Sequence, residues 1–173
     1  MDPIDSPAWA DNPRLTDWLA ERAAAFPAWA GEHGGDWDFT PDSLDRLEAV
    51  IRSAFSSWEE ANDAADGPLL AVAAWYLGEV QVRHCGAAWR CDPQAPPPPG
   101  TAAGGQPLLT VPRATLDGHE QDALEELDEI DENPTPLVDP ASIIRSLFAA
   151  PDSHLRDVLN RYARFERWRR SLA

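Results

Sequence analysis

The chain has 173 residues, of which 43% are hydrophobic and 25% charged; that length and apolar content suit one compact domain and argue against wholesale disorder. Its net charge of −16, from 30 acidic and 14 basic residues, repels nucleic-acid phosphates and anionic lipid headgroups and favours a basic partner. No apolar run approaches the ~18 residues of a membrane span, and no apolar leader follows the opening MDPIDSPAWADNP, so the expected location is the cytoplasm.

Two cysteines, Cys85 and Cys91, make no disulfide framework, and both thiols are expected to be reduced. Every basic residue is Arg and none is Lys. Because Arg codons are GC-rich, this bias points to a high-GC bacterial source. The eight Trp residues are scattered along the chain, as core anchors would be.

In chain order, residues 1–11 are polar and irregular. Asp11 or Asn12 caps a first helix with Pro13 in its first turn; Leu15, Trp18, Leu19, Arg22 and Phe26 follow at helical spacing, and Pro27 is expected to stop it. Residues 28–39, with Gly31, Gly34 and Gly35, are expected to form a loop. A second helix starts at Thr40-Pro41-Asp42 and carries an apolar stripe from Leu44 to Phe55, ending near Ser57. Residues 59–67 read as an acidic connector. Pro68 opens a third helix that is apolar on more than one face and therefore central, with Gly86 as its left-handed C-cap.

Residues 88–91 and 108–111 are expected to pair as a hairpin, joined by a flexible Pro/Gly-rich loop over 92–107. Residues 115–133 carry nine acids and no Arg: Asp117, Glu120, Asp122, Glu125, Glu126, Asp128, Glu129, Asp131 and Glu132. Ala123, Leu124, Leu127 and Ile130 give this run a narrow apolar seam, compatible with a surface helix or with disorder. Leu137 and Val138 lie in a loop or edge strand. Asp139-Pro140 opens a helix, and Pro151-Asp152-Ser153 breaks it and caps the last one. That last helix sets Arg156, Arg161, Arg164, Arg167, Arg169 and Arg170 against Asp157 and Glu166.

The third helix holds Tyr76, Leu77, Gly78 and Glu79, followed by Arg83, Gly86 and Trp89. This pattern, Y-L-G-E-x3-R-x2-G-x2-W, resembles one found in uncharacterised bacterial proteins, some of them encoded near toxin–immunity genes. The resemblance covers about residues 40–112 and, more loosely, Val138 to Leu159, and implies a helical domain with a small sheet and no established activity. Taken by themselves, the residues suggest structural roles. Gly78 in a helix interior costs ~1 kcal/mol relative to Ala, so a backbone or a Trp ring should approach it closely. Glu79 and Arg83 stand four apart, in the favourable order for an ion pair. The functional alternative is Glu79 as a general base in a cleft with Arg83, Trp89 and Tyr76.

Other chemistry finds little support. His84, Cys85 and Cys91, with His119 as a fourth ligand, do not have zinc-site spacing. No nucleophile elbow, phosphate loop or dinucleotide fingerprint occurs, and the acidic run lacks the calcium loop with its central Gly. No metal or cofactor is therefore expected. The locally basic last helix sits in an acidic protein and is a poor nucleic-acid site.

The expected fold is α+β, one mostly helical domain over 1–173 with a small antiparallel sheet near 88–111. The expected function is that of a non-enzymatic binding protein, of immunity or adaptor type, whose acidic run steers a basic protein partner. A small-ligand protein or enzyme built around Glu79 and Arg83 is the second reading, and a component of a larger assembly the third. The acidic run and the Arg-rich last helix are opposite in charge, so they could pair within the chain or across a homodimer.

Overall fold

The computed structural model describes residues 3–65, 67–94 and 106–173. The fold is mostly helical α+β, with a three-stranded antiparallel sheet. The helices are α1 (Pro7–Ala10), α2 (Pro13–His33), α3 (Ser43–Ala54), α4 (Trp58–Asp63), α5 (Pro68–Cys85), α6 (Gly118–Asp128), α7 (Pro140–Ser146) and α8 (Leu159–Ser171). The strands are β1 (Ala88–Arg90), β2 (Leu108–Thr110) and β3 (Leu137–Val138), in the order β1-β2-β3.

Helix α5 is the axis of the fold. It buries residues around its whole circumference, among them Leu70, Ala73, Trp75, Tyr76, Leu77 and Val80, as the absence of a polar face in its sequence requires. It packs against α2, α3, α7, α8 and β1. Gly86 ends it in the left-handed conformation at φ 66° and turns the chain into β1. The hairpin then sets Trp89 opposite Leu109, and Leu109 opposite Val138, so all three side chains are buried over α5. Residues 95–105, the bulk of the expected flexible loop, lie outside the described residues.

Asn12 ties the N-terminal region to the sheet. Its Oδ1 accepts from the Leu15 N–H and caps α2, while its Nδ2 donates to the carbonyls of Ala8 and Cys91. The Cys91 N–H donates to the Trp9 carbonyl at 3.0 Å, which covers the outer end of β1.

Four local expectations need correction. Residues 1–11, expected to be irregular, form a 3-10 turn at Pro3–Asp5 and the short helix α1, with Pro7 in its first turn. Helix α2 does not stop at Pro27 but continues to His33. Proline removes a hydrogen bond to the carbonyl four residues back; here that is Ala23, and both Ala23 and Pro27 are exposed, so water can take the carbonyl. Beyond the proline, Trp29 is buried in the core and holds the extra turns. The helix stops at Gly34, whose φ of 62° and ψ of 172° suit glycine alone.

The acidic connector contains a helix, α4. The Ser57 hydroxyl accepts from the Glu60 N–H, and the Glu60 carboxylate reaches back to the Ser56 N–H and hydroxyl. Ala61, fully buried, fastens it to the core.

Ser153 does not cap the last helix; its hydroxyl bonds the carbonyls of Ala150 and Ser146. Residues Leu155–Val158 form a 3-10 turn that leads into α8, and the Leu155 N–H is capped by Glu48 of α3 at 3.0 Å. No local sequence pattern could have shown a cap supplied 107 residues away.

Candidate functional site

Each residue of the Tyr76–Trp89 motif has a structural partner. The Tyr76 hydroxyl donates to Ser43 Oγ at 2.7 Å and accepts from the Phe39 N–H at 2.9 Å. Burial raises the Tyr76 pKa against those two hydrogen bonds, so the phenol stays protonated. A Cβ on Gly78 would lie 2.1 Å from Cζ2 of the Trp89 indole and 3.1 Å from Leu109, so the missing side chain is what admits the ring. The Trp89 indole N–H donates to Glu79 Oε1 at 2.9 Å, and Glu79 Oε2 lies 3.7 Å from Arg83 Nε. Both oxygens of the candidate base are thus engaged inside the fold. Arg83 in turn places its guanidinium 3.6 Å from the centroid of the Phe39 ring.

Phe39 adopts φ 59°, the left-handed region that bulky side chains avoid. Its conformation is held from every side: by the Tyr76 hydroxyl on its N–H, by Arg83 over its ring, and by stacking on Tyr76 at 4.6 Å and contacts with Phe26 and Trp75. The motif therefore fixes the turn between α2 and α3 as well as the seat of β1.

The acidic residues divide into two sets. Asp117 caps α6 and forms a reciprocal capping box with Glu120. Glu120 is buried and accepts two bonds from Arg169 of α8, at 2.7 and 3.2 Å. Those bonds, with the Asp117 N–H, hold its carboxyl below the usual glutamate range. Asp128 pairs with Arg113 and accepts from Asn133 Nδ2; burial would raise its pKa, but these partners more than offset that and lower it. These three acids serve the fold. Asp122, Glu125, Glu126, Glu129, Asp131 and Glu132 are exposed, with no basic partner among the described residues. Ile130 stands among them at 61% exposure.

The Arg-rich helix is similarly divided. Arg169 links α8 to α6 within one chain, and Arg156, in the 3-10 turn before α8, pairs with Asp45 of α3 and with Asp42 just before it. Arg161 donates to the Leu137 carbonyl on β3. Thus part of the opposite charge recognised in the sequence is used internally.

Sequence reasoning missed two polar clusters. In one, Glu48 of α3 accepts from Arg52 Nε at 2.8 Å and from the Leu155 N–H, and contacts His154 Nδ1 at 3.1 Å. Burial would raise the Glu48 pKa, but these hydrogen bonds prevail and lower it. In the other, Arg90, Asp5 and Arg113 meet α6 around a cavity of ≈ 450 Å³. Both join residues far apart in sequence. The weak signals were a charged residue inside a strand (Arg90) and a Glu on the apolar stripe of a helix (Glu48).

Of the residues considered for zinc, Cys91 is buried, Cys85 half-buried, and burial raises both thiol pKa values. Among the described residues no three His, Cys, Asp or Glu side chains are grouped so as to hold a metal ion. No described helix is long and apolar enough to cross a membrane. Comparison with known proteins finds no matching family model, no similar curated protein and no similar solved structure.

Proposed function

We propose that the protein is a binding module whose acidic face, over α6 and the residues that follow it to Glu132, engages a basic protein partner, as an immunity or adaptor protein would. The observation that supports this reading is the division of the acidic run. Three of its nine acids are consumed by capping and ion pairs, while six stay exposed with no basic partner among the described residues, and Ile130 is exposed in the same run. Folding leaves that charge uncompensated, so it is available to steer a cationic surface, with Ile130 as an apolar contact once docked. The reading of Glu79 as a catalytic base is less favoured, because Trp89 and Arg83 already occupy its carboxylate.

Deleting the acidic run would be a poor test, since Leu124 is fully buried and Glu120 anchors α8. The better variant neutralises Asp122, Glu126, Glu129, Asp131 and Glu132 to their amides. The tagged wild-type chain should capture a stoichiometric basic partner from host lysate at low salt and release it at high salt, and the neutralised chain should not capture it. Equal capture by both chains would refute the role assigned to this face.

A further inference from the structure

We propose that the cavity between β1, the Arg113–Thr115 turn and α6 binds a small zwitterion of the α-amino-acid class, its carboxylate on Arg90 and its ammonium on Glu125. The inference shares Glu125 with the acidic face but does not depend on a protein partner, and it rests on which charges around this cavity have no counter-ion among the described residues. Its volume, ≈ 450 Å³, lies within the range of small-ligand sites.

Most of the polar lining is already paired. Arg113 is shared between Asp5, at 3.2 Å, and Asp128, which also accepts from Asn133. Gln121 donates its side-chain N–H to the Leu116 carbonyl. Two ionic groups are left over. Arg90 is only 8% exposed, and its guanidinium donates to two neutral acceptors, the carbonyls of Ile4 and Trp89. No carboxylate of the described residues lies within ion-pair distance of it. Burial lowers its pKa, opposed only by the more distant charge of Asp5. A buried cation without an anionic partner is costly to the fold, which makes it a candidate for a ligand's carboxylate. Glu125 is its counterpart: exposed, on the α6 wall of the same cavity, and with no cation within ion-pair distance among the described residues.

The combination selects the ligand class. A simple anion would answer Arg90 but meets three carboxylates, those of Asp5, Glu125 and Asp128, against two guanidinium groups. A simple amine would answer Glu125 and leave Arg90 unpaired. A small molecule carrying both charges satisfies both groups at once, and the bidentate fork of Arg90 suits a carboxylate in particular.

The test is calorimetric titration of the full chain with the proteinogenic L-α-amino acids one at a time. For any that bind, the matching decarboxylated amine and deaminated acid follow. At least one amino acid should bind, each half-ligand should bind about tenfold or more weakly, and Arg90→Gln and Glu125→Gln should each raise Kd by about tenfold or more. Glu125 is exposed, so Glu125→Gln keeps the proposal testable even where Arg90→Gln fails to fold. The proposal is overturned if no amino acid binds, if the amine alone binds as tightly, or if Glu125→Gln leaves Kd unchanged. Since Glu125 is not among the five residues neutralised to test the α6 face, failure of either reading is visible without the other.

Discussion

Gly78→Ala sets two physical effects against each other. By helix propensity alone, Ala in the middle of α5 should stabilise the protein by ~1 kcal/mol. The geometry predicts the opposite, because the new methyl would lie 2.1 and 2.2 Å from two atoms of the Trp89 ring. That ring has little room to retreat. Its N–H is held by Glu79, its face meets Trp18 at a centroid distance of 5.2 Å, and its backbone is paired with Leu109 in the sheet. Overpacking of this kind costs about 1–3 kcal/mol, and loss of the indole bond to a carboxylate adds about 1.5–3 kcal/mol. After subtracting the propensity gain, the net destabilisation is about 1.5–5 kcal/mol, equivalent to about 3–20 °C in Tm for a chain of this size. Circular dichroism melts at 222 nm would measure it. A Tm equal to or above that of the wild type would refute the close-approach argument. A second arm repeats the substitution in a Trp89→Leu background, where the smaller side chain leaves space. There the penalty should largely vanish, and an identical penalty in both backgrounds would mean that residues 78 and 89 are not coupled.

Two further outcomes follow from the polar network. Tyr76→Phe removes the acceptor of the Phe39 N–H and the donor to Ser43, and should cost about 1–3 kcal/mol. Hydrogen exchange should report it as faster exchange of the Phe39 amide, with the amides of α7 unchanged. Glu48→Gln tests the acid limb of stability. The folded Glu48 pKa lies below its unfolded value, so the carboxylate contributes stability that is present above the unfolded pKa and lost as pH falls through the folded one. The Tm gap between wild type and Glu48→Gln should therefore narrow as pH falls below about 4.5; a gap that stays constant would show that Glu48 is not ionised in the fold.

The sequence made the main elements legible where the signal was local. The all-round apolar character of residues 68–85 identified α5 as central, and Gly86 marked its end, because helix periodicity and a left-handed cap depend on neighbours in the chain. The pairing of 88–90 with 108–110 followed from two apolar runs flanking a Pro/Gly-rich segment. Pro27 misled because its effect depends on whether the freed carbonyl can reach water, which is a property of the folded surface. Residues 57–60 misled for another reason: a Ser-x-x-Glu capping signal was present at Ser57 and Glu60 but was outweighed by the acidic composition around it. The Glu48–Leu155 cap and the Arg90 cavity were beyond any reading of spacing, since each joins residues that only the tertiary fold brings together.

This difference bears on where function resides. The motif from Tyr76 to Trp89 was the most conspicuous pattern in the sequence, and its geometry uses Tyr76, Gly78, Glu79, Gly86 and Trp89 to seat a ring, fix a turn or end a helix. These contacts account for the motif's residues by the shape of the fold, without calling on chemistry at Glu79. Among the described residues, the exposed acids over and just after α6 and the buried Arg90 stand outside the motif and have no ion-pair partner. Both had inconspicuous sequence contexts, one a charge run and the other a single Arg in a short strand. They stand out only against the tertiary partners of their neighbours: Glu120 and Asp128 are paired where the other acids of the run are not, and Arg113 is paired where Arg90 is not.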